Sequence, residues 1–382
     1  MQPLAPLLRL LLLGLLLSLT SPAWAQVLPV NALPAEHAGR YTQVLKESTS
    51  ALTVEQASRL FQQGQGRAGQ TPILNFGIGS PPVWLRLQLH NPTDQPISVQ
   101  VITGTSWIDD LQLTLVQDGK PQQQWQSGDA QRGAKDLVPG IGYVVPLRVP
   151  SGSSELYLRA QSPDPLILPI EVLSESSFLA RDREYKFVYG LIYGFLLSLI
   201  VYNSMLFIGL RERSYLYYSI YLGLFALLNF AYSGHGFAWV WSDNPLLQGH
   251  IILLCMLLFG CSGLLFTSSF LPATCATRTA RLKPCRTWRH WHGHHPVARR
   301  PHQRSVTAFG FSLLAAISMV VLGLTTLGTA SSRALLPTAT LCGMLGTAIS
   351  ILTVWGATAF YGWNYAPSRS ASFSTTLCPR TS

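Results

Sequence analysis

The sequence predicts an all-β jelly-roll or sandwich domain followed by an α-helical transmembrane bundle with about five spans. The first observation is a series of short segments with period-two alternation between residues 83 and 173, which is typical of strands that bury one face. The second is a set of apolar stretches after residue 186, each near the roughly 20 residues that a membrane span needs. We therefore expect two structurally distinct parts in one chain.

Residues 1–25 have the features of a secretory signal peptide. A single basic residue, Arg9, precedes an apolar run at residues 10–17, and the small-residue pattern Ala-Trp-Ala ends at Ala25. The apolar run is too short to cross a hydrocarbon layer of roughly 30 Å, so we expect cleavage after Ala25 rather than an uncleaved anchor. The part that follows is therefore predicted to be exported.

The charge of the chain is unevenly distributed. Residues 26–185 contain 12 Lys and Arg against 15 Asp and Glu, although the whole chain carries a formal charge of +10. The basic excess lies mainly at residues 278–304, after the apolar segments begin. Because loops rich in Lys and Arg stay in the cytoplasm, this pattern indicates membrane topology and no nucleic-acid partner. All six cysteines follow the exported part, so we expect no disulfide framework there.

The exported part predicts one helix and many strands. Thr53, with Gln56 three residues later, predicts a capped helix over residues 53–62. In residues 83–90 the alternation predicts that the odd-numbered side chains face a core and the even-numbered ones face outward. Further strands are predicted at 97–103, 111–116, 122–126, 143–149, 155–161 and 166–173, with a hairpin turn at Asp118-Gly119.

Five transmembrane helices are predicted, at residues 187–210, 215–232, 246–271, 309–327 and 335–361. With an exported N-terminal domain, the positive-inside rule places Arg211, Arg213, the basic stretch 272–307 and the C-terminal tail in the cytoplasm. We therefore expect a multi-pass protein of a bacterial inner membrane whose N-terminal domain is periplasmic. The lipid bilayer is one predicted partner.

Six residues are candidates for contact with a ligand: Trp84, Arg86, His90, Trp107, Asp109 and Trp125. The first three share the outward face of one predicted strand, where an aromatic ring and a guanidinium can hold a sugar or a carboxylate. The alternative for these three is packing against a neighbouring segment. For Trp107 we favour core packing, and for Trp125 both alternatives stay open.

The sequence contains no motif for catalysis or for cofactor binding. GxGxxG, Walker-type, GxSxG and HExxH patterns are absent. The basic stretch holds Cys285, His290, His292, His294, His295 and His302, which are residue types that bind zinc, but no paired CxxC spacing accompanies them. We therefore expect no enzymatic activity, no cofactor and no metal, and a solvated loop at this stretch.

Several segments resemble a known family. The exported part contains PVWLRLQLHNPTDQPISVQV, SWIDDLQLTLVQDGK and VVPLRVPSGSSELYLRAQSPDPLILPIEV, and the membrane part contains VYGLIYGFLLSLIVYNSMLFIGLRERSYLYYSIYLGLFALLNFAYSGHGF. These segments are similar to the seven-transmembrane receptors with diverse intracellular signalling modules (7TMR-DISM), with their extracellular domain of type 2. The resemblance implies a jelly roll like that of carbohydrate-binding modules, a carbohydrate-like ligand and a cytoplasmic output module.

The predicted domains follow from these observations. They are a signal peptide at 1–25, the periplasmic type 2 domain at 26–185, helices one to three of the seven-helix region at 186–271, a basic cytoplasmic loop at 272–307, two further helices at 308–361 and a truncated tail at 362–382. At 272–307 and again at 375–382 the composition changes abruptly. The resemblance implies a short loop and another helix at 272–307. Our hypothesis is that both segments are translated out of frame.

Three functions are compatible with this sequence. The first is a receptor whose periplasmic domain binds a small ligand and signals through the helix bundle to a cytoplasmic partner or through a homo-oligomer. The second is a truncated, non-functional remnant of such a receptor. The third is a transporter component, which is less favoured because no Asp, Glu, Lys or Arg lies within the five apolar cores.

Overall fold

The computed structural model describes residues 27–34, 37–47, 51–133, 135–269 and 301–327. The predicted signal peptide, the predicted fifth span at 335–361 and the C-terminal tail lie outside the described residues. Residues 272–300 of the basic stretch also lie outside the described residues. They include every His and Cys of that stretch except His302.

The described part of residues 27–174 is an all-β sandwich of antiparallel sheets, as predicted, and we refer to it as the sandwich domain. Its strands, in chain order, are β1 (Leu28–Pro29), β2 (Thr42–Lys46), β3 (Arg67–Ala68), β4 (Ile73–Ile78), β5 (Val83–Asn91), β6 (Ile97–Thr103), β7 (Asp110–Gln117), β8 (Lys120–Ser127), β9 (Leu137–Val138), β10 (Gly142–Val149), β11 (Gly152–Gln161), β12 (Pro165–Pro169) and β13 (Glu171–Ser174). The predicted strand at 166–173 is thus two strands, which pair with different partners.

Two larger sheets face each other across the core. The first has the order β3-β2-β5-β11-β7-β8, with β1 lying parallel beside β5, and the second has the order β13-β6-β10-β9. A two-stranded sheet joins β12 to β4. The core contains the odd-numbered residues of β5 and residues of β6 and β10, including Leu85, Leu87, Val99, Val101 and Val145. The period-two alternation therefore predicted the inner face of β5 correctly.

The hairpin between β7 and β8 turns at Asp118 and Gly119, as predicted. Their φ angles are +52° and +72°, which is the combination that a tight hairpin turn with the right-handed twist of its strands requires. Asp tolerates this conformation because its short polar side chain can bond the local backbone, and Gly adopts it without steric cost.

The outer face of the first sheet is covered by α1 (Val54–Gln62). Thr53 and Gln56 form the predicted capping box, in which each side chain accepts a hydrogen bond from the backbone of the other. Ala57 and Phe61 of α1 pack on Trp84 and on Tyr157 of β11. Trp84 does lie on the outer face of β5, as predicted, but this helix covers it and leaves the indole 2% exposed, so the packing alternative holds for Trp84.

The helical part follows the sandwich domain without a linker. The helices are α2 (Glu175–Leu210), α3 (Arg213–Tyr232), the short α4 (His235–Trp239), α5 (Pro245–Ser268) and α6 (Pro301–Leu327). The Ser174 hydroxyl, at the end of β13, caps α2 by accepting a hydrogen bond from the Ser177 N–H. Helices α2 and α3, α3 and α5, and α5 and α6 pack in pairs.

In the part of the chain that the structure describes, three helices are long and apolar enough to cross a membrane, over Glu175–Leu210, Arg213–Tyr232 and Pro245–Thr267. They correspond to the first three predicted spans. The predicted fourth span, 309–327, lies within α6, which begins at Pro301. Ser305, in the first turns of α6, donates a hydrogen bond to Asp164 of the sandwich domain. The structure thus places this turn on the same side as the sandwich domain, which disagrees with the cytoplasmic placement predicted for the end of the stretch 272–307.

Candidate functional site

The sandwich domain and the helices share one hydrophobic core. Phe237 of α4 is 0% exposed and packs among the core residues of the sandwich, and Trp241 packs beside them. The chain turns from α3 into α4 at Gly234, with φ +83°, where a Cβ atom would lie 2.9 Å from the Cβ of Ser106. Between α3 and α5, His235 and Phe237 are therefore buried, with Phe237 in the sandwich core, whereas Trp239 and Val240 remain exposed.

Trp107 forms a second contact between the two parts. Its ring lies 4.5 Å from the ring of Tyr232 at the end of α3, measured between centroids, and its Nε1 donates a 2.9 Å hydrogen bond to the carbonyl oxygen of Pro165. Ile73, Ile167 and Ile252 pack around the indole. The core packing favoured for Trp107 is what the structure has, and the surrounding atoms come from both the sandwich and the helices.

Hydrogen bonds reinforce the same surface, which we call the junction (Ser106, Trp107, Tyr232, Phe237 and Gln248). The Ser106 hydroxyl donates to the Tyr232 carbonyl oxygen at 2.7 Å, and Nε2 of Gln248 donates to the Ser106 carbonyl oxygen at 3.4 Å. The side-chain oxygen of Gln248 accepts a 2.9 Å bond from Nε1 of Trp241. Because buried polar groups are costly unless they are paired, these bonds fix the relative position of sandwich and helices.

Three carboxylates lie next to the junction, and we call them the acidic cluster (Asp109, Asp129 and Asp164). Asp109 and Asp129 sit side by side, since the backbone N–H of Ala130 bonds to the carbonyl oxygen of Asp109 at 3.3 Å. The Ser162 hydroxyl donates to Asp109 at 2.6 Å. Asp164 accepts a hydrogen bond from Ser305 of α6. The cluster therefore reaches from the end of the sandwich to the helices.

Burial raises the pKa of all three carboxyl groups. For Asp109, burial and the neighbouring Asp164 raise the pKa to about 6, although the hydrogen bond from Ser162 opposes the shift. Burial, followed by repulsion from Asp109 and Asp164, raises the pKa of Asp129 well above its usual range, against a hydrogen bond from Gln248. Burial also raises the pKa of Asp164, and the bond from Ser305 and the nearby His250 oppose it. The hydrogen-bond donors and positive charges around these three carboxyl groups therefore do not offset the cost of ionising them.

The other predicted ligand residues lie away from the junction. Arg86 pairs with Glu155 and donates a 3.2 Å hydrogen bond to Gln43 on the outer face of the first sheet. His90 lies 3.4 Å from the Ser153 hydroxyl on the same face, and Trp125 packs partly buried against the main core. Contact of these residues with a ligand stays a prediction. Of the six candidates, Trp107 and Asp109 are the two that the fold brings together with the helices.

Trp84 belongs to a buried polar network that the sequence did not reveal. Its Nε1 donates a 2.8 Å hydrogen bond to Glu47, which also accepts bonds from Arg159 at 2.9 and 3.1 Å. Arg159 reaches Asp110 as well, at 3.2 Å. Burial alone raises the pKa of Glu47, but the hydrogen bonds from Arg159 and Trp84 more than offset it and hold the pKa below its usual value. This network is a structural feature of the sheet's outer face.

The acidic cluster predicts a pH dependence. The folded-state pKa of Asp109, at about 6, exceeds the roughly 3.9 of an unfolded Asp, so protonation favours the folded state. As the pH rises from 4 to 6, we expect the free energy of unfolding to fall by about 1–2 kcal/mol. In Asp109→Asn this fall should be absent. Urea unfolding of the full chain in nanodiscs at several pH values measures it. Asp118→Asn, at the exposed hairpin, should keep the wild-type slope; an unchanged slope in Asp109→Asn would contradict the assignment.

Comparison with protein-family models gives two matches that together cover most of the chain. Residues 39–174 match the family described as 7TMR-DISM extracellular 2, and residues 185–377 match 7TM diverse intracellular signalling. The chain belongs to the 7TMR-DISM family. The resemblance seen in the sequence is thereby confirmed, and this 7TMR-DISM chain is a membrane sensor or receptor with an extracellular sensory domain and a seven-helix region. Comparison with curated proteins gave no match.

The second match runs through the basic stretch 272–307 of this 7TMR-DISM chain, where the sequence analysis proposed a change of reading frame. That hypothesis stays a hypothesis. The first match ends at residue 174 and the second begins at residue 185. The residues between them form the first turns of α2, directly after the sandwich domain. The junction described above therefore joins the sensory domain of the family to its membrane region.

Proposed function

We propose that this chain is the sensing part of a bacterial inner-membrane receptor, in which the periplasmic sandwich domain binds a small polar ligand and the junction passes the effect to helices α3 and α5. The observation that carries the proposal is the burial of Phe237 of α4 in the sandwich core. Because packed cores adopt discrete arrangements, a change in the sandwich that moves this side chain also moves the segment between the two helices.

The proposal requires that the ligand bind one arrangement of the junction more tightly than another. Trp107 and Gln248 would be moved by a change in the junction, since Trp107 of the sandwich contacts Tyr232 of α3 and Gln248 of α5 bonds to Ser106 of the sandwich. No catalytic step is part of this mechanism. Output would come from a cytoplasmic partner or from a homo-oligomer of the chain.

A panel of small metabolites tests the proposed function. Neutral sugars, amino sugars, amino acids, diamines and dicarboxylates are added to the full chain in nanodiscs, and the melting temperature is measured. We expect at least one compound to raise the melting temperature by several degrees and to change amide hydrogen exchange in α3 or α5. If no compound stabilises the chain, or if the effect stops within the sandwich strands, the receptor mechanism is wrong.

A further inference from the structure

The acidic cluster has few basic neighbours within the described residues. Among the described residues, no Lys or Arg forms an ion pair with any of the three carboxylates. His250 of α5 faces Asp164 and acts to lower the pKa of that carboxyl group. Buried carboxylates in folded proteins are usually paired with a cation or with several hydrogen-bond donors. The cluster therefore has unused capacity to bind positive charge.

A buried hydroxyl beside the cluster also lacks a partner. Tyr143 of β10 is 0% exposed, and its hydroxyl forms no hydrogen bond in the described structure. Burial, followed by the charges of Asp129 and Asp109, raises the pKa of the Tyr143 phenol. Thr103, the cross-strand neighbour of Tyr143 on β6, is likewise buried with an unpartnered hydroxyl. Since buried polar groups are nearly always hydrogen-bonded, these hydroxyls point to a further polar group between them.

These residues lie at one end of the sandwich, where the Ser127 hydroxyl donates to Asp136 and the Asp136 carbonyl oxygen accepts from the Val144 N–H. Tyr143 belongs to the core face of the second sheet, and Asp109 and Asp129 lie at the ends of β7 and β8 in the first sheet. Asp109 and Asp164 remain partly exposed, whereas Asp129 is 6% exposed. Two carboxylates of the cluster are therefore accessible to solvent, and the third is buried.

We propose that Asp109, Asp129 and Tyr143 bind the ammonium group of a small organic amine, with the Thr103 hydroxyl free to bond a neighbouring polar group of the same ligand. This inference rests on the proposed ligand-sensing function and assigns its ligand class. An ammonium has three N–H donors and one positive charge, which match two carboxylates and a hydroxyl oxygen. A neutral ligand leaves the carboxylate charge uncompensated, and an anionic ligand adds to it.

The same residues do not favour a metal ion. Within the described residues, no group of three or more His, Cys, Asp or Glu side chains lies close enough to hold one. The bond between Gln248 of α5 and Asp129 also ties the inner carboxylate to the membrane helices, so neutralising Asp129 changes a contact of the junction.

Three sugars that differ in a single group test the ligand class. Glucosamine carries a free amine, N-acetylglucosamine carries the same nitrogen as a neutral amide, and glucose has a hydroxyl there; putrescine serves as an amine without hydroxyls. Binding to the full chain in nanodiscs at pH 7 is measured by thermal shift, with calcium chloride as a separate probe. We expect glucosamine or putrescine to bind at least tenfold more tightly than the two neutral sugars.

Two variants place the binding at this site. Asp129→Asn keeps the shape of the side chain and removes buried charge, so we expect a higher melting temperature without ligand and at least a tenfold loss of amine affinity. Tyr143→Phe should weaken amine binding severalfold while the core stays packed. Asp118→Asn removes a carboxylate from the exposed hairpin and should leave amine binding unchanged.

The outcomes separate the two proposals. If N-acetylglucosamine or glucose binds as tightly as the amines, the ligand class is wrong while ligand sensing stands. If calcium binds and Asp129→Asn abolishes that binding, the site is a metal site and the inference is overturned. If neither amine binds, the inference also fails, and the wider metabolite panel then decides the proposed function independently.

Discussion

Phe237→Ala is expected to lower the free energy of unfolding of the sandwich domain by about 3–5 kcal/mol, although the residue belongs to the helical part of the chain. Phe237 is 0% exposed among the sandwich core residues, so truncation removes buried apolar surface and leaves a cavity between the sheets. Urea unfolding of the full chain in nanodiscs, followed by tryptophan fluorescence, measures the loss.

Val240→Ala is the control for this prediction. Val240 lies three residues further along, immediately after α4, and is 68% exposed. Its truncation should change the free energy of unfolding by less than about 0.5 kcal/mol. Equal effects of the two substitutions would show that Phe237 does not belong to the sandwich core.

Arg159→Met is expected to destabilise the sandwich domain by about 3–5 kcal/mol. Arg159 is 7% exposed and donates to Glu47, so its removal leaves a buried carboxylate with fewer donors. The low pKa of Glu47 depends on these bonds, and we expect it to rise in the variant. Denaturant unfolding at pH 5 and pH 7 measures both effects, with the larger loss at pH 7, where Glu47 carries its charge.

A double substitution separates the lost charge partner from lost packing. Adding Glu47→Gln to Arg159→Met should recover at least about 1 kcal/mol, because the buried charge is then absent. Arg148→Met, at an exposed position of β10, is the matched control and should be close to neutral. If the double variant is as unstable as the sum of the single ones, the Arg159–Glu47 pair is not the source of the effect.

Local patterns in the sequence predicted the longer strands from β5 onward, but they missed β1 to β4 and β9 and did not separate β12 from β13. The inner face of β5, the capping box at Thr53 and the turn at Asp118-Gly119 each depend on residues close together in the chain, and each is present in the structure. The period-two pattern describes one face at a time. It could not show that α1 covers the other face and buries Trp84, because the Trp84–Glu47 contact joins residues 37 positions apart.

The junction and the acidic cluster depend on contacts across still longer separations. Ser106 and Gln248 are 142 positions apart, and Asp164 and Ser305 are 141 apart. Asp109 was a candidate on its own, but nothing in the sequence placed Asp129 and Asp164 beside it. One signal was available for the junction: the segment from His235 to Trp241 between two spans carries several aromatic residues, which a solvated loop seldom does.

The central claim is that the sensory sandwich and the membrane helices form one coupled unit through the junction. The most direct measurement is amide hydrogen exchange of the full chain in nanodiscs, comparing Phe237→Ala and Val240→Ala with the wild type. The account predicts that Phe237→Ala raises exchange both in β6 and β10 and at the end of α3 near Tyr232, while Val240→Ala leaves both unchanged. Faster exchange confined to His235–Trp239, with the strands and α3 still protected, would contradict it.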